Sequence, residues 1–328
     1  MTNELVSIIM LSKDNGKYVQ ETVRSVIAQT YQNWELIFMD DSSKDDTISQ
    51  MMDLMEEDRQ RSRAVPVLRQ AQDPHNIEGS KGSNAVLEPV ERPTSSCVPF
   101  LDEPSGIAER VASALRSSAA FASATGRPES RIHVSQNVES RGSASSMNSA
   151  LRDARGKYIA FLNVGDLWEP TKLEKQIAFM EEHGYAFTYT KYKYIDKNSK
   201  DRGDMMGGLS VVTHKDLIKC CWMGYMTVMY DTEKLGRFRV RRIEKHNDYA
   251  LWMDVSEKAD CYLLPECLAS LRVEHALYSP IPMFDKIRWR YEVFHTVEDL
   301  NPFISFWLTI RNMIGGFVKK VKYVEKVE

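Results

Sequence analysis

The sequence has little that would tie it to an oxidising compartment, a bilayer span or a nucleic acid. Its 328 residues include only five cysteines, at positions 97, 220, 221, 261 and 267. They form no Cys-x-x-Cys pair and their number is odd, a pattern of reduced, packed thiols rather than of a disulfide framework or a zinc site. No stretch approaches the ~18 consecutive apolar residues of a membrane-spanning helix. The opening Met-Thr-Asn-Glu-Leu lacks the basic and apolar runs of a secretion signal. These absences give the expectation of a cytoplasmic protein. A surplus of positive charge is also missing. The formal net charge of -3 argues against nucleic acid as the main partner, because phosphate binding wants a basic surface. No nucleophile elbow, P-loop or zinc-protease motif occurs.

What is present reads as an α/β protein. Apolar residues make up 43% and charged residues 27% of the chain, ordinary values for a globular domain. Val6–Leu11 is a short apolar run of the buried parallel-strand kind. Apolar residues then recur at helical spacing from Lys17 to Thr30. Glu35–Met39 is a second buried strand ending in Asp40-Asp41-Ser42-Ser43. Asp45-Asp46-Thr47 stands where the next helix begins, its carboxylates favoured by the helix dipole. This βαβα start predicts a Rossmann-like, mostly parallel sheet flanked by helices, with ligands at the carboxyl ends of its strands.

Between residues 64 and 130 the rhythm breaks. There is no Tyr or Trp, and seven of the twelve prolines fall here. So little apolar surface does not offset the entropy of ordering, and the segment reads as a disordered insertion with one helical patch at Ile107–Ala122. A small independent domain is the alternative. Alternation then resumes. Ser143–Arg155 is a helix with Gly156 as its C-cap, and Tyr158–Leu162 a strand ending in Asn163-Val-Gly-Asp166. Glu169-Pro170 opens a helix capped by Gly184, Ala186–Tyr194 and Thr227–Tyr230 are strands, and Asn247–Lys258 is a helix.

Taken in order, Val6-Ser-Ile-Ile-Met10, Ile27-Ala-Gln-Thr-Tyr31, Trp34-Glu-Leu-Ile37, Asp40-Asp41-Ser-Ser-Lys-Asp-Asp-Thr47, Arg141-Gly142, Ala154–Leu162 and Gly165-Asp-Leu-Trp168 resemble the family 2 inverting glycosyltransferases. The resemblance runs over about 5–63 and 131–275. It implies a GT-A domain that moves a sugar from a nucleotide-sugar donor, by default a UDP-sugar, to a saccharide or lipid-linked acceptor. Such enzymes commonly build bacterial surface polysaccharide.

The resemblance also implies a site. Ser12, Lys13, Asp40 and Asp41 would line the nucleotide pocket, with Asp41 favoured and Asp40 equally suited to capping the following segment. The strand end normally reads Asp-x-Asp-Asp, whose carboxylates hold Mn²⁺ or Mg²⁺ against the donor diphosphate. Here only Asn163 and Asp166 remain as metal candidates, because Gly165 has no side chain. A site with a weak metal or none, and a catalytically impaired sugar-nucleotide-binding or assembly protein, are the competing readings. Asp248 is the candidate base that takes the acceptor's proton, with a first-turn capping role as the alternative. His275 is a candidate diphosphate contact, and Arg272 one that pairs with a carboxylate.

Residues 301–328 carry Phe303, Phe306, Trp307 and Phe317 beside Arg311, Lys319, Lys320 and Lys322. Two readings stand side by side: an interfacial amphipathic helix giving peripheral membrane contact, or a terminal helix docked on the core.

Overall fold

The computed structural model describes residues 3–71, 130–273 and 282–326. Contacts divide the chain into two units, one of Met1–Asp58 with Ser130–Glu328 and one of Arg59–Glu129. The first carries everything below. Apart from the end of one helix and Ser130, the expected insertion and its helical patch lie outside the described residues.

The first unit is built on one mixed sheet. Strands β1 (Val6–Ser12), β2 (Trp34–Asp40), β3 (Ile132–Gln136) and β4 (Tyr158–Phe161) pair in parallel in the order β3-β2-β1-β4. This is the parallel block expected from the sequence, and β1 and β2 are buried along nearly their whole length because helices cover both faces. Helices α1 (Gly16–Ile27), α2 (Thr47–Ala71) and α3 (Ser143–Asp153) follow β1, β2 and β3. Their hydrophobic stripes supply Val19, Val23, Val26, Met51, Leu54, Met147 and Leu151 to the core.

Beyond β4 the pairing changes. β5 (Leu167–Trp168) leads into α4 (Lys172–His183), capped by Gly184 in the left-handed conformation as expected. β6 (Phe187–Ile195), β7 (Asp201–Met206), β8 (Val211–Val212) and β9 (Met229–Asp231) then follow with short connections. A parallel return needs a crossover of a dozen or more residues, which the short β6–β7 link cannot supply, so that pair is antiparallel; β9 also runs antiparallel to β6 and β4. β10 (Cys261–Arg272) returns alongside β6 in parallel. Between these lie α5 (His214–Lys219), α6 (Thr232–Leu235) and α7 (Asn247–Ser256). The chain ends in α8 (Met283–Glu292), a π-helical turn, α9 (Pro302–Lys322) and β11 (Val324–Lys326), which closes the sheet edge on β7.

One expectation is corrected. Gly156 does not cap α3, which ends at Asp153 with Ala154 extended. Gly156 is a close-approach residue instead: a Cβ there would lie 2.5 Å from the Ser7 nitrogen and 2.7 Å from the Leu5 oxygen. Its N–H donates to Ser7 Oγ at 2.7 Å. Beside it Glu35, 2% exposed, accepts from Ser7 Oγ at 2.6 Å and from Arg155 N, Nε and Nη2 at 2.8, 2.9 and 2.7 Å. Burial pushes the Glu35 carboxyl up, but the hydrogen bonds from His133, Ser7 and Arg155 outweigh it and hold the pKa at about 2. The Ala-Arg-Gly-Lys motif is therefore a clamp between β1, β2 and the entry to β4.

Candidate active site

The loops that follow β1, β2 and β4, and those that lead into α3 and α7, gather at the carboxyl ends of the parallel strands. Each contains a residue with positive φ: Asp14 (53°), Ser42 (68°), Gly165 (107°), Gly142 (80°) and His246 (61°). Non-glycine residues adopt this conformation at a cost, and such residues cluster where a site fixes its loops.

Asp41 organises the loop at the end of β2 and the entry to α3. It is 8% exposed and accepts from Ser140 Oγ at 2.6 Å, Arg141 N at 2.8 Å, Asn137 Nδ2 at 2.9 Å and Gly142 N at 3.2 Å. Burial raises its pKa, yet these hydrogen bonds prevail and hold the group at about 2. Lys13 Nζ donates to the same Ser140 hydroxyl at 3.0 Å. Ser12 is buried at the end of β1, and its carbonyl accepts from Asp41 N at 2.8 Å. Asp40 is fully buried and takes the capping role: its carboxylate accepts from Ser43 N at 2.8 Å, from the Ser43 hydroxyl, and from Gln136 Nε2 at 3.1 Å. Asp45 binds the N–H of Gly16 at 2.8 Å and of Thr47 at 3.1 Å, so one carboxylate serves the first turns of both α1 and α2.

At the end of β4, Asn163 is half-buried and Asp166 is 5% exposed. Asp166 Oδ1 accepts from the backbone N–H of Arg272 at 3.0 Å. Burial pushes its pKa up to about 7, against the pull of that hydrogen bond and of the Arg272 charge. The Arg272 side chain has no exposed surface. It donates to Gly165 O at 2.8 Å, Asp196 O at 2.8 Å, Glu21 Oε2 at 2.7 Å and Ser199 Oγ at 3.0 Å, and lies over the Tyr18 ring at 4.5 Å. It pairs with a carboxylate, as expected, and it also fixes the loop that carries Asn163 and Asp166. His275 lies outside the described residues.

Asp248 stands in the first turn of α7. The rest of that helix is almost wholly buried, with Tyr249, Leu251, Trp252, Met253 and Val255 in the core. Trp252 and Tyr225 both meet the edge of Phe161, at 4.9 and 5.2 Å between centroids, which fixes α7 against β4. Asp248 remains half-buried. The Cys221 thiol is pushed up to about 12, chiefly by burial and next by the Asp248 charge, and the Tyr225 hydroxyl is raised by the same two causes. The His246 pKa is lowered by burial and partly restored by Asp248.

The two sides are joined by a path that sequence reasoning missed. Asn247 Nδ2 donates to Ser143 Oγ at 2.6 Å. Ser143 opens α3 directly after Arg141 and Gly142, whose N–H groups bind Asp41. Asp41 and Asp248 are thus linked through the N-termini of α3 and α7. The amide oxygen of Asn247, the Tyr225 hydroxyl and the Trp252 indole nitrogen are buried without a hydrogen-bond partner. Buried polar groups in folded proteins are nearly always paired. The only hint in the sequence was the position of Asn247 next to Asp248.

The mixed sheet flanked by helices is that of the GT-A glycosyltransferases. The chain belongs to glycosyl transferase family 2, whose sequence pattern matches residues 7–72 and 112–242. The stretch between the two matched parts falls inside the expected insertion. The chain is 28% identical over 325 residues to the putative teichuronic acid biosynthesis glycosyltransferase TuaG of Bacillus subtilis, covering 98% of this chain and 100% of that protein. It is 26% identical over 258 residues to an Escherichia coli protein, UDP-Glc:alpha-D-GlcNAc-diphosphoundecaprenol beta-1,3-glucosyltransferase WfgD, covering 78% and 71% of the two chains. Among solved structures, S. aureus TarS 1-349 in complex with UDP-GlcNAc superposes with a TM-score of 0.54 at 16% identity, over 94% of this chain and 72% of that one. That last likeness is one of fold.

Proposed function

We propose that this chain transfers a sugar, with inversion, from a UDP-sugar to a saccharide or lipid-linked acceptor of a bacterial surface polysaccharide, using Asp248 as the base. The observation that carries the reading is the link from Asp41 through the N-terminus of α3 and the Asn247–Ser143 hydrogen bond to the residue before Asp248, which holds the β2 loop and a half-buried carboxylate in one frame. The relatives support the substrate classes: WfgD is named for a UDP-sugar donor and a lipid-diphosphate-linked acceptor, and TuaG for teichuronic acid synthesis.

In the reaction the acceptor oxygen attacks the anomeric carbon while Asp248 takes its proton. The bond from that carbon to the diphosphate breaks, and the nucleoside diphosphate leaves with the electron pair. A single in-line displacement of this kind inverts the anomeric centre, and a positioned base contributes roughly 10²–10⁴-fold.

A divalent cation generally accompanies this chemistry and offsets the charge of the departing diphosphate. The residues here do not fit one held by protein carboxylates. No cluster of three His, Cys, Asp or Glu side chains suited to a metal occurs among the described residues. Asp166 is buried and accepts from the Arg272 N–H, and Gly165 contributes no side chain. Lys13, exposed beside the Asp41 loop, is positioned to supply positive charge to the diphosphate. The thinned acidic motif also favours the second reading, a sugar-nucleotide-binding protein without turnover. Release of UDP from a panel of UDP-sugars, measured beside UDP binding, separates the two. Retained binding with no release, with or without acceptor, would sink the enzyme reading.

A further inference from the structure

The C-terminal helix is docked inside out. The residues that α9 buries are Ser305, Leu308, Thr309, Asn312 and Lys319, four of them polar. Asn312 Nδ2 donates to Tyr249 Oη at 2.7 Å and to Ile218 O at 3.1 Å. Lys319 Nζ donates to Trp222 O at 2.7 Å and Cys221 O at 3.1 Å. Gly315 lets the helix close on α5: a Cβ there would lie 2.3 Å from the Lys219 oxygen.

The opposite face is apolar and faces outward. Phe303, Phe306, Trp307, Ile314, Phe317 and Val321 are exposed by 56–90%. At 100° per residue these positions span about a third of the helix circumference, centred opposite Asn312 and Lys319. Eleven of the thirteen large apolar side chains exposed among the described residues lie on α8 and α9, Met283 and Phe284 being the two on α8. A helix that merely completes a core would turn this face inward. No helix among the described residues is long and apolar enough to cross a membrane.

Charge narrows the occupant. Arg311 and Lys322 lie along one edge of the apolar stripe and Lys320 along the other, and α9 contains no Asp or Glu. A second copy laid face to face would bring like charges together along both edges. Anionic headgroups satisfy both edges while the aromatic side chains enter the acyl boundary.

We propose that the outward face of α8 and α9 docks on an anionic lipid bilayer, with α9 lying flat in the interface. The polar inner face then ties this surface to the acceptor side of the site, through Tyr249 beside Asp248 and through the Cys221–Trp222 loop. Lipid docking itself stands apart from the proposed reaction and is measured without donor or acceptor.

The test is flotation of the full chain with vesicles of phosphatidylcholine alone and of phosphatidylcholine with phosphatidylglycerol. Wild type is expected to float with the anionic vesicles and to show a blue-shifted Trp307 emission, which a Trp307→Phe variant identifies. Phe303→Ser/Phe306→Ser/Phe317→Ser, three exposed positions, should lower the bound fraction at least tenfold with an unchanged circular dichroism spectrum. Arg311→Glu/Lys320→Glu/Lys322→Glu should abolish the preference for anionic lipid. Wild type remaining in the aqueous fraction with both vesicle types overturns the proposal. So does sedimentation of wild type as a dimer that the Phe→Ser variant dissolves, since the face would then belong to a second copy.

Discussion

The amide of Asn312 and the hydroxyl of Tyr249 are 2.7 Å apart, which bonds the last helix to the residue that follows the candidate base. Tyr249 Oη in turn donates to Leu217 O. Because α7 is packed on nearly every side, displacement of α9 reaches Asp248 through a rigid element rather than through a loop.

Asp248→Asn keeps the size of the side chain but removes the proton acceptor. Asp248 enters no hydrogen bond or ion pair with another described residue, so thermal stability should stay within about 0.5 kcal/mol. Transfer is expected to fall by about 10²–10⁴-fold with UDP binding retained. An unchanged kcat in a steady-state transfer assay would remove Asp248 from the reaction.

Asp41 predicts an acid limb in stability. Hydrogen bonds hold its pKa at about 2 in the folded chain, below the ordinary aspartate value of about 3.9, so the unfolded state binds the proton more readily. The stabilisation is present above about pH 4 and is lost as pH falls toward 2. One unit is worth about 1.4 kcal/mol, which makes the whole effect about 2 kcal/mol. Urea titrations from pH 5 to 2.5 should show this slope in wild type and a flatter one in Asp41→Asn, whose amide cannot accept the same set of donors.

Gly165 bears on the cation. Transfer is expected to be insensitive to EDTA and to gain less than about threefold from added Mn²⁺, an order-of-magnitude bound for a weakly held ion. Gly165→Asp should not restore a metal site. At φ 107° a side chain is strained, and the variant should lose about 1–3 kcal/mol of stability in chemical denaturation. Complete loss of turnover in EDTA would show that a cation binds despite this donor set.

Arg272→Met should be among the most damaging single changes at the site. It strips charged donors from the Gly165 and Asp196 carbonyls and from Glu21. Loss of a fully buried, hydrogen-bonded charge costs about 3–5 kcal/mol. The expected readout is a markedly lower melting temperature, together with weaker UDP-sugar binding as the Asn163–Asp166 loop loosens.

The parallel block was legible from the sequence because its signals are local. Val6–Leu11 and Glu35–Met39 are apolar runs of strand length, and Gly184 closes a periodic helix. The antiparallel half was less so, since β6 pairs with β7 through a short link but with β9 across a long stretch of chain. The strand-end position of Asp41 and the first-turn position of Asp248 were readable from local pattern. Asp40, with the same chemistry one residue earlier, points into the loop because successive strand residues face opposite ways. Gly156 was misassigned because helix termination and close backbone approach leave the same residue in the sequence. The Ser143–Asn247 bond joins segments about a hundred positions apart, and no spacing rule reaches that far.

The backbone at Gly165 limits what substitution can add there. At positive φ an acidic side chain strains a loop that Arg272 and Thr22 hold by hydrogen bonds to its backbone. Positive charge brought in by an exposed side chain such as Lys13 meets no such cost.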